Sequence, residues 1–409
     1  MKSEKPKISL FPIFLTVFID LLGLGIVLPV TPALLLNPAE PILPAETDIH
    51  TRTLIYGYLT AIYPIMQFFG APVLGALSDR HGRKKMLALS LSGTLLGYLL
   101  FAYSIITNNI ILLFISRALD GFTGGNIAIA LSAISDISTE KTRARNFGLI
   151  GAAFGLGFIL GPYIGGKLAD PNIVSWFRSD TPFWFAAILT GLNLILIQFN
   201  FKETLLKPKE SKVSMSTGLI NLGNAIRHPR LSPLFLVVFL ITLGFNFFTQ
   251  FFSVFLISKF KMSVSQVSDI FAYVGLWIVI GQGALQRPLS AKFKPVAILK
   301  FSMVVLALVL PLLLVPDESQ WLFLVIPFVA LSNGLTQPNM TAMVSMEADA
   351  SEQGQILGIN QSIQSIGMAI PPIVAAYINE ISINLPIISS ASLIFLGWLL
   401  LMSRRTKSA

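Results

Sequence analysis

The chain has no cysteine in its 409 residues, which excludes disulfides, thiol chemistry and cysteine-ligated metals. Charge is also scarce: 12% of residues are Asp, Glu, Lys or Arg against 54% hydrophobic, a balance foreign to a water-soluble domain of this length. The three histidines, His50, His81 and His228, fall in the intervals between apolar stretches. No intramembrane histidine relay is therefore available, and proton chemistry has to use carboxylates. HExxH, GxSxG and a paired-carboxylate constellation at membrane depth are all missing, so the chain does not read as an enzyme. Gly161 to Lys167 fits the first part of a phosphate loop, but Leu168 stands where Ser or Thr is required and no strand precedes it. No ATP site, no metal and no cofactor are implied.

What is abundant is apolar sequence in long runs. Twelve segments have about the length that crosses a ~30 Å hydrocarbon core as a helix, among them about 10–36, 54–78, 109–136 and 146–168. The first is too long for a signal peptide, carries Asp20 and is followed by no small-residue cleavage site, so it is read as a retained helix. Most of the Lys and Arg residues fall on one side of the membrane if both termini are cytoplasmic, which fixes the expected orientation. The same bias accounts for the net charge of +9 with no nucleic-acid partner; the lipid bilayer is the partner this composition calls for. The expected fold class is an all-α polytopic membrane protein.

The chain reads as two halves. The hydrophilic stretch KETLLKPKESKVSMSTGLINLGNAIRHPR is the longest charged interval and serves as a linker whose middle suits a surface-lying amphipathic helix. Gly75-Ala-Leu recurs as Gly283-Ala-Leu, and Gly148, Gly157 and Pro162 line up with Gly358, Gly367 and Pro372 at one common offset, close to that of the first pair. Duplication follows, with an N-terminal six-helix half over 1–201, a cytoplasmic linker over 202–230 and a C-terminal six-helix half over 231–409.

Several residues carry chemical information. Gly75-Ala-Leu-Ser-Asp79-Arg80-His-Gly82-Arg83-Lys84-Lys85 is a charged loop between the second and third segments, with Gly82 supplying the turn and Gly75 a close helix approach. Only Asp20, Arg117 and Asp120 are charged at depth, where each costs about 2.5–3.5 kcal/mol or more. Asp20 is a proton-carrier candidate or a helix-packing acid. Arg117 and Asp120, three apart on one helical face, either neutralise each other for insertion or bias a nearby acid. In the fifth segment Gly151, Gly155, Gly157, Gly161, Pro162, Gly165 and Gly166 make small-residue faces for close crossing. The C-terminal half has no deep charge but carries Asn246, Gln250, Gln282, Asn333, Gln337, Gln361 and Gln364, with Tyr273 and Trp277 one turn apart beside a phenylalanine-rich seventh segment. Together these suggest an apolar cavity with a few orienting dipoles, while interhelical packing explains any one of them alone.

The Gly75–Lys85 pattern resembles the cytoplasmic signature loop of the major facilitator superfamily. Arg117-Ala-Leu-Asp120-Gly-Phe-Thr-Gly124-Gly125 resembles its fourth-helix arginine signature, and Gly161-Pro162-Tyr-Ile-Gly165-Gly166 its antiporter segment. Asp20-Leu-Leu-Gly23-Leu-Gly25 is similar to the first-helix signature of the twelve-helix drug:proton antiporter branch that includes tetracycline efflux pumps. The resemblance covers essentially the whole chain. It implies twelve transmembrane helices in two parallel six-helix repeats, no cofactor, and proton-coupled export of small lipophilic organic compounds by alternating access. It further implies that Asp20, Arg117 and Asp120 couple protons, that Gly75, Asp79, Gly82, Arg83 and Asp136 form a cytoplasmic latch, and that Gly157, Gly161, Pro162, Gly165 and Gly166 form a hinge. Substrate contact is expected at Asn246, Gln250, Tyr273, Trp277, Asn333, Gln337, Gln361 and Gln364. The alternative is a proton symporter or facilitator importing a small nutrient. Expected partners are a small-molecule substrate and protons, with a monomer in a bacterial inner membrane. Two departures stand out: Gly97 replaces the third-helix aspartate of tetracycline pumps, and Arg287 occupies the place of Asp79 in the second-half copy.

Overall fold

The computed structural model describes residues 10–138, 140–205, 214–347 and 353–404. Among them the chain is helical and contains no strand. In chain order the helices are α1 Phe11–Leu36, α2 Ile49–His81, α3 Arg83–Ile106, α4 Ile110–Thr123, α5 Asn126–Ile137, α6 Glu140–Leu168, α7 Thr181–Asn200, α8 Thr217–Arg227, α9 Ser232–Phe260, α10 Val264–Ile280, α11 Gln286–Lys292, α12 Pro295–Val309, α13 Leu322–Glu347, α14 Gln353–Ile381 and α15 Leu385–Ser403. Among the described residues ten helical stretches are long and apolar enough to cross a membrane, with α4–α5 and α10–α11 each counting as one. The two further long helices, α6 and α14, have 29 residues each and fill the remaining places of the twelve.

Proline starts many of these helices where its missing N–H costs nothing: Pro12 in α1, Pro182 in α7, Pro233 in α9, Pro295 in α12 and Pro386 in α15 all sit in the first two positions. α10 instead starts with a reciprocal cap in which Ser263 accepts from the Gln266 amide while Gln266 accepts from the Ser263 amide.

Two compact units are formed. One comprises Met1–Glu46 with Ile65–Thr217, the other Thr47–Pro64 with Gly218–Ala409. In the first, α1 lies along α6, and α3 packs on α4 and α7; in the second, α9 lies along α14, and α12 packs on α13 and α15. The same pairing in both units is the duplication seen in the glycine spacing. Gly157 of α6 faces Leu21 of α1, and its sequence counterpart Gly367 of α14 faces Thr242 of α9. Helix α2 is divided, its first turns belonging to the second unit and the remainder to the first. The middle of the linker is helical, as α8, with Leu219, Ile220 and Ile226 exposed and Asn221 donating to Ser362 Oγ at 3.0 Å. Linker residues 206–213 and the residues before 10 lie outside the described part.

Two expectations need correction. The charged stretch after Gly75 is not a loop: α2 runs to His81 and α3 begins at Arg83, so Gly82 alone makes the turn, at φ 101°. His50 and His81 are accordingly helical. The fourth segment is not one helix either, because Gly124 and Gly125 separate α4 from α5. Arg52 of α2 is fully buried, and its Nε donates to the Thr47 carbonyl at 3.0 Å.

Candidate functional site

Three charged side chains are buried together in the first unit. Asp20 of α1, Arg117 and Asp120 of α4 are each 4–5% exposed. Arg117 Nη1 lies 3.1 Å from Asp120 Oδ2, the short reach of an i,i+3 pair on one helix face. Asp20 is held from a different element: Asn126 Nδ2 donates to Asp20 Oδ1 at 2.8 Å. Asn126 is available because it is the first residue after the Gly124–Gly125 break. The break itself is fixed by α2, since Gln67 Nε2 donates to the Gly124 carbonyl at 3.0 Å and a Cβ on Gly125 would lie 2.9 Å from Ala71 Cα.

Tyr98 of α3 closes the same cluster. It is buried, within electrostatic reach of Asp20, Asp120 and Arg117, and a Cβ on Gly23 would overlap its hydroxyl. Gly23 is thus the gap in α1 that admits this ring. Gly97 is the matching gap in α3: a Cβ there would lie 2.9 Å from Asp120 Cβ. A side chain at position 97 therefore competes with Asp120 for the same space.

At the opposite end of α2 the guanidinium of Arg83 is a buried hub. It makes contacts of 2.6 Å to Asp79 Oδ1, 3.0 Å to Asp136 Oδ2 and 2.6 Å to Ser78 Oγ. The expected latch residues Asp79, Arg83 and Asp136 are therefore brought together. Glu203, just past α7, completes the arrangement: its carboxylate accepts from the backbone amides of Arg83 and Lys84 at 2.8 and 3.1 Å, capping α3. A Cβ on Gly82 would overlap that carboxylate, so the positive φ and the cap both demand glycine. Gly75 differs from expectation. A Cβ there meets nothing within 4 Å, so it is not a close-approach glycine in this structure.

The glycines of α6 present one face to α1. A Cβ on Gly157 would lie 2.6 Å from Leu21 Cβ, on Gly161 2.6 Å from the Leu22 carbonyl oxygen, and on Gly165 2.8 Å from Ile26 Cα. Pro162 approaches Gly25 from the same face, and Gly166 is buried beside them. The contacts of Gly148 and Gly151 lie outside the described residues.

The candidate substrate residues of the second unit are spread over four helices. On α9, Asn246 donates to its own helix at Thr242 O, 2.8 Å away, and the Gln250 carbonyl accepts from the Tyr56 hydroxyl. On α10, Tyr273 donates to Phe323 O at 3.2 Å and packs edge-on against Phe323 and Trp277. Trp277 Nε1 and Asn333 Oδ1 are buried with no hydrogen-bond partner among the described residues. Gln337 and Gln364 are half-buried, while Gln361 is exposed. The aromatic run of α9 is largely core: Phe247, Phe248 and Phe251 are fully packed, leaving Phe245 half-buried. A cavity wall made of all four phenylalanines is not what the structure contains.

Sequence reasoning missed Asn126, Tyr98, Ser78 and Glu203 in the first unit. In the second it missed the reciprocal Gln286–Asn339 amide pair, 2.8 Å in its shorter bond, and Glu347, which Arg404 contacts at 2.5 Å. An amide directly after Gly124-Gly125 at membrane depth was the one available signal, for Asn126.

A family model described as Major Facilitator Superfamily matches residues 13–407. The chain is 31% identical to the tetracycline resistance protein, class C, of Escherichia coli over 92% of its own length and 90% of the relative's. It is 29% identical to multidrug resistance protein 1 of Bacillus subtilis over 94% and 92%. In fold it is similar to the crystal structure of the human organic anion transporter MFSD10, with a TM-score of 0.75, 24% identity, and coverage of 97% of this chain and 100% of the other.

Proposed function

The chain belongs to the Major Facilitator Superfamily, and from that premise we propose that it is a proton-coupled exporter of small lipophilic organic compounds. It is a transporter and not an enzyme. Export is supported by the relatives named for tetracycline and multidrug resistance, which align along nearly the whole chain at about the same identity. The observation that carries proton coupling is Asp20, a buried carboxyl whose one hydrogen bond among the described residues comes from a neutral amide and not from a cation. A group so placed exchanges charge states at a cost that a membrane pH gradient can meet, because the neutral form needs no counter-ion. Arg117 is engaged with Asp120 and so leaves Asp20 as the acid free to load and unload. The protein works by alternating access in the plasma membrane of a bacterium, with both termini cytoplasmic.

Its preferred substrate is a lipophilic cation and not tetracycline. Phe245, Tyr273 and Trp277 supply aromatic faces, which attract cations, and Asn246, Gln250, Asn333, Gln337, Gln361 and Gln364 supply neutral dipoles. Asp120 Cβ fills the space beside Gly97, so the third helix offers no carboxylate to a metal-chelated drug. An efflux panel in a pump-deficient bacterial host tests this reading. Protection against lipophilic cations with none against tetracycline is expected; strong tetracycline resistance without protection against cations overturns it.

A further inference from the structure

Asp20 and Asn126 share one hydrogen bond and leave two acceptors idle. Asn126 Nδ2 donates to Asp20 Oδ1 at 2.8 Å. The remaining carboxylate oxygen, Asp20 Oδ2, and the amide oxygen, Asn126 Oδ1, are both buried, and neither has a hydrogen-bond partner among the described residues. The side chains themselves are almost fully enclosed, Asp20 at 4% and Asn126 at 0% exposure. An ionised carboxylate has no hydrogen to donate and an amide oxygen only accepts, so the two idle atoms have nothing to offer each other while Asp20 is charged. Buried polar atoms are rarely left this way, and two on the partners of a single bond point to a missing hydrogen.

One proton supplies it. A carboxylic acid and a carboxamide can pair side by side through two hydrogen bonds, the amide N–H to one acid oxygen and the acid O–H to the amide oxygen. We propose that Asn126 is the positioning residue of the proton site. When Asp20 takes a proton on Oδ2, the new hydroxyl donates to Asn126 Oδ1 and closes a two-bond acid–amide pair. In that step the Oδ2–H bond forms, one O–H bond of a hydronium ion breaks to leave water, and the carboxylate charge is neutralised. On release the sequence reverses and a single amide bond again holds the anion. The pair rests on the reading of Asp20 as proton carrier given above.

The surroundings favour this assignment over the other polar groups. Asp120 of α4 and Tyr98 of α3 lie within electrostatic reach of Asp20, and Arg117 of α4 within reach of Tyr98, but Arg117 and Asp120 already bind each other at 3.1 Å. Helix α6, which lies along α1, brings Gly157 and Gly161 to this stretch and, among the described residues, no titratable group. Asn126 alone gives Asp20 a hydrogen bond among the described residues, and the break at Gly124–Gly125, pinned by Gln67, sets where α5 begins and hence where Asn126 stands. A fixed amide on one carboxylate oxygen leaves the other as the atom that takes the proton.

Infrared difference spectroscopy on the full chain in liposomes, stepped in pH, tests the pair directly. Wild type should show a protonated-carboxyl carbonyl band that is absent in Asp20→Asn. In Asn126→Leu, which removes donor and acceptor together, the same band should move to higher frequency, and in Asn126→Ser, a milder change that guards against misfolding of the first, it should move in the same direction. A band at unchanged frequency in both Asn126 variants overturns the pair while leaving Asp20 as carrier. A band that persists in Asp20→Asn overturns the carrier reading and the pair with it.

Discussion

Replacing Gly161 by alanine asks whether the glycines of α6 exist to let that helix lie on α1. The added Cβ would stand 2.6 Å from the Leu22 carbonyl oxygen and 2.9 Å from Gly25 Cα, where ordinary contact begins at 3.4 Å. Both neighbours are backbone, so no rotamer change relieves the overlap and the helices must part by several tenths of an ångström. Overpacking of this kind costs about 1–3 kcal/mol. Alanine returns up to about 1 kcal/mol through its better helix propensity, so the net loss lies between about 0 and 3 kcal/mol, centred near 1.5. Gly75→Ala is the control with the opposite sign. Its Cβ meets nothing within 4 Å, so only the propensity gain of about 0.5–1 kcal/mol remains. Thermal unfolding of the purified protein in detergent should therefore melt Gly161→Ala below wild type and Gly75→Ala at or above it. The packing argument fails if Gly161→Ala melts with wild type, or if Gly75→Ala falls as far as Gly161→Ala does.

Asp136→Asn should weaken the Arg83 hub by about 1–3 kcal/mol, because a charge-assisted bond to a buried guanidinium is lost while that to Asp79 remains, and Arg83→Met should cost more since it removes the bonds to both acids. Chemical unfolding of the three proteins side by side gives the order, and equal stability of Asp136→Asn and wild type counts against the hub. Asp48 is held below the usual carboxylate range by the Thr51 backbone amide, with the Thr51 hydroxyl adding to it, at the start of α2. An acid shifted down stabilises the fold fully above its ordinary value and loses that contribution as pH falls through its lowered one. Asp48→Ala should thus melt below wild type at neutral pH and converge with it in strong acid; a gap that persists in acid refutes the assignment.

Apolar length and glycine spacing were the legible features. The first segment, about 10–36, is α1 within one residue, and the matched glycines Gly157 and Gly367 face α1 and α9 respectively. Hydropathy averages over a window, so the two-glycine break that positions Asn126 was hidden inside an apolar run. Charge at a membrane edge reads as a loop, yet Asp79 and Arg80 lie in the last turns of α2, where the basic Arg80 and His81 suit the helix C-terminus. Glu203 caps a helix that begins at Arg83, and no spacing rule links residues so far apart in sequence. Composition likewise does not separate a phenylalanine in the core, such as Phe251, from one left half-buried, such as Phe245.

The central claim is that Asp20 carries the coupling proton. Its most direct test is Asp20→Asn reconstituted in proteoliposomes under an imposed pH gradient, with substrate flux read in both uphill and exchange modes. Uphill transport should be abolished, while substrate binding and pH-independent exchange largely survive, because the amide fills the same space and keeps the site neutral. Accumulation of substrate against its gradient by Asp20→Asn would contradict the account and move the coupling group elsewhere, with Asp120 next in line.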